Sequence, residues 1–191
     1  MKAILLLCVP VLLANMNIAC AQTVLNTEGK KTASDIAPPK RQIEELDWID
    51  KKHMDEAEQK INALFQAKLG TGIRHDLTDL NSLQRIFDSK LVKTDDYKTL
   101  QAMGIVLGNV MQADFPNALE WKVYSDDLGR SRALCVKNTA NCLFPVTMLE
   151  RRVEAGIHPD VKKIYSDAIL SMEKHLPQLP YGGGIMYRLP R

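Results

Sequence analysis

The chain has 191 residues, 46% of them hydrophobic and 25% charged, and 25 Lys and Arg against 23 Asp and Glu give a formal net charge of +2. That length suits one domain or two small ones, and the composition excludes collagen-like and wholly disordered chains. The near balance of charge argues against a nucleic-acid binder, which carries a strong basic excess or stripe, and the scattered Cys and His exclude a zinc ribbon or a knottin framework.

The first predicted element is an address. Met1-Lys2 supplies a positive start, Ala3 to Ala14 is nearly pure apolar, and a more polar stretch ends in Ala19-Cys20-Ala21. These are the parts of a secretory signal, residues 1–21, with cleavage after Ala21. The apolar run is shorter than the about 20 residues of a membrane helix. Ile18-Ala19-Cys20 offers an alternative, in which Cys20 is acylated and anchors a lipoprotein. Asn17 departs from the aliphatic residue such signals carry three positions before the Cys. By either route the mature protein is expected to be periplasmic or secreted, and membrane-associated only if Cys20 is lipidated. No other segment is long and apolar enough to span a bilayer.

Residues 22–41 are polar, contain Pro38-Pro39, and read as a flexible linker. A single folded domain is expected over residues 42–191. From Gln42 to Ala67, Ile43, Leu46, Ile49, Ala57, Ile61 and Leu64 recur mainly at helical spacing, with Gly70 and Gly72 as the stop. Trp48 and Phe65 read as packing residues. A second helix is predicted over Leu77 to Ser89, with Asp76 as its cap and Leu80, Leu83, Ile86 and Phe87 inward. A third runs from Asp95 or Asp96 to Ala113. Its Gly104 and Gly108 would let another helix or strand of the same domain approach closely.

The period then changes. Leu119 to Tyr124 alternates like a half-buried strand, Ser125 to Gly129 is a turn, and Arg130 to Val136 is the next strand. Leu143 lies in a third, which Pro145 ends. Thr147 and Glu150 have the spacing of a capping box, Gly156 stops that helix, and Pro159 is placed to open the next. The last helix carries Val161, Ile164, Tyr165, Ala168, Ile169 and Met172. The tail, with Gly182 to Gly184 and an edge strand at 185–189, is loop-like. The order predicts an α+β fold: N-terminal helices, a small three-stranded antiparallel meander, and C-terminal helices packed on one face.

Two Cys remain after the signal is removed, Cys135 and Cys142. They flank the turn-like Asn138-Thr139-Ala140, so a hairpin would set them opposite each other. An oxidising compartment then favours a disulfide. A reactive thiol pair is the weaker alternative, because C-x-x-C spacing is absent.

The search for chemistry returns little. Leu69-Gly-Thr-Gly-Ile73 lacks the Lys and spacing of a phosphate loop. His53, His75, His158 and His175 have no partner at metal-ligand spacing, no G-x-S-x-G is present, and neither a metal nor a cofactor is expected. One cluster stands out. Arg130, Arg132, Arg151 and Arg152 lie on or beside the meander, with Asp127 close in sequence. It reads either as surface ion pairing or as a face for a partner, since Arg suits planar bidentate contacts.

Leu119-Glu-Trp-Lys-Val, Asp127-Leu-Gly-Arg130, Leu143-Phe-Pro145, Glu150-Arg-Arg-Val-Glu-Ala-Gly156 and Ile164-Tyr165 together resemble the bacterial domain-of-unknown-function family 3806, over residues 100–170. That resemblance implies one domain and carries no activity, cofactor or catalytic residue. The expectation is an exported, non-catalytic binding protein whose partner is another protein of the cell envelope, in its narrowest form an inhibitor or immunity protein for an envelope-acting toxin. An envelope hydrolase, whose carboxylates would converge only in the fold, and a lipid-anchored accessory structural protein are the alternatives.

Overall fold

The computed structural model describes residues 41–177. The proposed signal, Cys20, nearly all of the linker and the glycine-rich tail lie outside those residues. The described elements are strand β1 (Gln42–Glu45), helices α1 (Trp48–Leu69), α2 (Thr78–Asp88) and α3 (Tyr97–Asp114), strands β2 (Leu119–Asp126), β3 (Gly129–Val136) and β4 (Cys142–Leu143), and helices α4 (Pro145–Glu154) and α5 (Val161–Ser171), followed by a 3₁₀ turn at Glu173–His175. The chain is thus α+β, with one antiparallel sheet in the order β1-β2-β3-β4.

That sheet has four strands where the sequence predicts three. The extra one, β1, occupies residues predicted as the first turn of a helix. Gln42 to Glu45 pair antiparallel with Ser125 to Lys122, so the open edge of β2 supplies the hydrogen bonds that a helical turn would have made within itself. Four residues are too few for alternation to outvote a helical period. The helix instead starts after Asp47, whose Oδ1 accepts from the Asp50 N–H at 2.7 Å. Trp48, on the first turn, is 71% exposed rather than packed. Gly70 ends α1 as predicted, with φ of 68° in the left-handed region that favours glycine.

α3 is the spine of the core. Asp96 caps it by accepting from the Thr99 N–H at 3.0 Å. Leu100, Met103, Leu107, Val110 and Met111 are buried along it, and it packs on α1, α2, α4, α5 and β2. Its two glycines do what the sequence predicts. A Cβ at Gly104 would stand 2.5 Å from the Pro145 and Val146 carbonyl oxygens, and one at Gly108 would stand 2.3 Å from the Trp121 ring. One glycine admits a helix and the other a strand. Larger residues would force the overpacking that typically costs about 1–3 kcal/mol.

Leu119 and Trp121 of β2 and Leu134 and Val136 of β3 join α2, α3 and α5 in one core. The β3–β4 hairpin sets Cys135 opposite Cys142, and the two are joined by a disulfide. Asn138, with φ of 60°, turns the chain between them. The capping box does not form. Pro145 takes the first helical position, a place its fixed φ suits. Glu150 turns inward and accepts from Gln101 Nε2 at 3.1 and 3.2 Å. At α5 the cap is Asp160, accepting from the Lys163 N–H at 2.9 Å, and Pro159 stands just outside. Among the described residues no helix is long and apolar enough to cross a membrane.

Candidate functional site

The site is built around a carboxylate that the sequence does not single out. Asp50 lies in the first turn of α1 and is 1% exposed. Its Oδ1 accepts from Arg130 Nη1 at 3.0 Å and from Arg132 Nε at 3.0 Å, and its Oδ2 accepts from Arg130 Nη2 at 2.5 Å. Arg130 therefore grips both oxygens as a fork, the strong form of a charge-assisted pair. Arg130 and Arg132 are two apart on β3, so both stand on one face of the sheet. Their register partners are Ser125 and Val123. The Arg130 hydrogen bonds hold the Asp50 carboxyl below the usual carboxylate range, against the opposing push of burial. The same contact raises Arg130, so both groups are charged across the physiological range.

Asp50 fixes the two guanidiniums without using them up. The Arg130 side chain is 50% exposed and the Arg132 side chain 22%. Both line an open groove of about 490 Å³ together with Arg151 from α4. Arg151 is exposed and makes no ion pair among the described residues. Tyr124 and Phe144 stack edge to face in the same lining, with ring centroids 5.2 Å apart. Leu128, 97% exposed, stands at the hairpin tip beside it. One carboxylate, Asp126, lines the groove and another, Asp50, lies beneath it. A third carboxylate, Asp47, reaches Arg130 Nη2 at 3.8 Å, so three carboxylates stand against the three guanidiniums.

Of the five residues predicted for a partner face, Arg130, Arg132 and Arg151 are brought together. Asp127 is exposed in the β2–β3 turn and does not line the groove. Arg152 is turned away, its Nη1 donating to the Met148 carbonyl at 2.7 Å. Neighbours on a helix point about 100° apart, so Arg151 and Arg152 do not share a face. Asp50 escapes sequence reading because an Asp three residues after a capping Asp looks like ordinary helix-start chemistry. Its partners are 80 and 82 residues away.

A second polar chain also escapes it. Trp121 Nε1 donates to Asn109 Oδ1 at 2.9 Å, Asn109 Nδ2 donates to Glu58 Oε2 at 2.5 Å, and Glu58 Oε1 meets His75 Nε2 at 2.9 Å. His75 and Asn109 border a hollow of about 370 Å³. Among the described residues no group of three or more His, Cys, Asp and Glu is placed to hold a metal ion.

Comparison with known proteins adds a fold and a family resemblance. No curated protein matches the chain. A crystal structure from Bacteroides thetaiotaomicron VPI-5482, solved at 1.50 Å resolution, superposes with a TM-score of 0.62 at 16% identity. The match covers 73% of this chain and 50% of that one, so the chain spans about half the length of that structure. A likeness at such identity shows the fold alone. Residues 79–165 match the model of a family described as "Domain of unknown function (DUF3806)". The match starts at α2, ahead of residue 100 from which the sequence motifs carry the resemblance, and takes in α3, the β2–β4 meander, α4 and the first half of α5. The chain therefore resembles the DUF3806 family over the whole of its central helix-and-meander unit.

Proposed function

We propose that the chain is an exported, non-catalytic binding protein of the bacterial cell envelope, and that its groove receives a carboxylate-bearing surface of another protein. In its narrowest form the partner is a toxin acting in the envelope and this chain its inhibitor or immunity protein. The observation that carries the reading is the convergence of Arg130, Arg132 and Arg151 on one open groove, with two of the three positioned from beneath by Asp50. Pre-positioned guanidiniums lose little freedom on binding a carboxylate. Arg is among the residues enriched at interface hot spots, and Tyr124 adds an aromatic ring to the same groove lining.

The test is cross-linking in the envelope of cells expressing the tagged chain with its own leader, followed by mass spectrometry. Wild type, Arg151→Glu and Lys163→Ala, a control on α5 outside the groove, are run in parallel. The reading requires one near-stoichiometric envelope protein with wild type and Lys163→Ala that is lost with Arg151→Glu. Capture that ignores the groove variant contradicts it.

A hydrolase is the second reading, and one observation favours it: the His75–Glu58 pair beside the hollow. A carboxylate-oriented imidazole is the usual form of a general base. A turnover on envelope substrates that His75→Gln abolishes would move the assignment there.

A further inference from the structure

A third cavity lies between the α2–α3 connection and the α4–α5 connection, apart from the arginine groove and the hollow beside His75. It measures about 710 Å³ and shares no lining residue with that groove. Its volume falls in the about 300–1,000 Å³ range of small-molecule sites. The lining divides by chemistry. Phe87 and Leu100 belong to the buried core and Val153 is half-buried. Ile157, on the same wall, is 59% exposed, an apolar surface that a ligand would cover.

The polar part is concentrated in the α2–α3 connection. Lys90 and Lys93 both line the cavity and make no ion pair among the described residues. Lys93 lies close enough to Asp96 to favour that carboxylate's ionised form, but the main cause of the lowered Asp96 pKa is its Thr99 hydrogen bond. Asp95 is the one carboxylate of the lining. His158 also lines it, already held by Asp88 at 2.9 Å and set edge-on to Phe87. A pocket with an apolar wall and two ammonium groups outside any ion pair among the described residues suits a ligand with an apolar body and an anionic head.

We infer that this cavity is a binding site for a free single-chain amphiphilic carboxylate, its aliphatic chain against Phe87, Leu100, Val153 and Ile157 and its head on Lys90 and Lys93. The site stands independently of the partner groove. A two-chain membrane lipid would fill more than this volume, so the occupant is a free monomer rather than a bilayer surface.

Dodecanoate, below its micellar concentration, is the probe, and isothermal titration calorimetry the readout. The inference expects saturable one-to-one binding, no binding of acetate, and binding of dodecyltrimethylammonium that is weaker by about fivefold or more, as the loss of two exposed charge contacts implies. Ile157→Asp, at an exposed position that leaves the core intact, should abolish binding, and the double variant Lys90→Gln with Lys93→Gln should weaken it by about fivefold. Arg151→Glu should leave it unchanged, which separates this site from the groove. Circular dichroism of each variant confirms folding. Absence of saturation, equal affinity for the cationic surfactant, loss of binding with Arg151→Glu, or binding to phosphatidylglycerol vesicles in place of the monomer would each overturn it.

Discussion

Asp50 and Asp79 are equally hidden, each 1% exposed, and each lies in the first turn of a helix, but they differ in what satisfies them. Asp79, in the first turn of α2, accepts from the Arg74 N–H at 3.1 Å and the His75 N–H at 2.8 Å. Its partners are local backbone, and they hold the bend that leads into its own helix. Asp50 takes its partners from β3, and they are guanidiniums. Burial raises the Asp79 carboxyl, with the two backbone N–H groups only partly offsetting it. The Arg130 contact lowers Asp50. A buried carboxylate satisfied by neighbouring amides shapes a loop. One satisfied by distant cations that still reach solvent arms a surface.

The comparison can be broken most forcefully at Asp79. Asp79→Ala leaves two N–H groups without their acceptor and should destabilise the fold by about 3 kcal/mol, at about 1–3 kcal/mol for each orphaned group. Urea denaturation would show it as a lower midpoint at unchanged slope. Asp50→Asn should cost less, about 2 kcal/mol by the same measurement. A wholly buried pair loses about 3–5 kcal/mol when broken, but Arg130 is half in water. Its larger effect falls on the groove, because Arg130 and Arg132 lose the charge that positions them.

Titration sharpens the contrast in sign. The folded Asp50 pKa lies below its ordinary 3.8, so its stabilisation is present above that value and is lost as pH falls through the folded pKa. The folded Asp79 pKa lies above 3.8, so its contribution is full below that value and is lost as pH rises through the folded pKa. Between about pH 2 and pH 6, the stability of wild type relative to Asp50→Asn should therefore rise, and relative to Asp79→Asn it should fall. Equal slopes would remove the distinction. The smallest expected effect on stability is that of Arg151→Ala, within about 0.5 kcal/mol, because it is an exposed residue without an ion pair. A large loss there would make Arg151 structural.

These contrasts also mark what the sequence could reveal. α2 and α5 are legible because their apolar residues recur at one period, and all six inward residues predicted for the last helix are buried; α3 is legible by its length and nearly continuous apolar run, which is buried almost all round. The Cys pair was legible because a short hairpin determines its own register. β1 was not, since its pairing partner lies about 80 residues on and its four residues carry no decisive pattern. The same distance hid Asp50. Arg130, Arg132 and Arg151 could be singled out by proximity in sequence. Asp127 and Arg152 share that proximity in sequence but do not line the groove, and Arg152 is rotated about 100° from Arg151.

The most direct test of the central claim is the affinity of the protein captured by cross-linking, measured by titration calorimetry against wild type, Arg151→Glu and Asp50→Asn, each at a temperature where it is fully folded. If Asp50 arms the groove and the groove binds the partner, both variants weaken binding by about tenfold or more, equivalent to about 1.4 kcal/mol. Wild-type affinity in Arg151→Glu would contradict it.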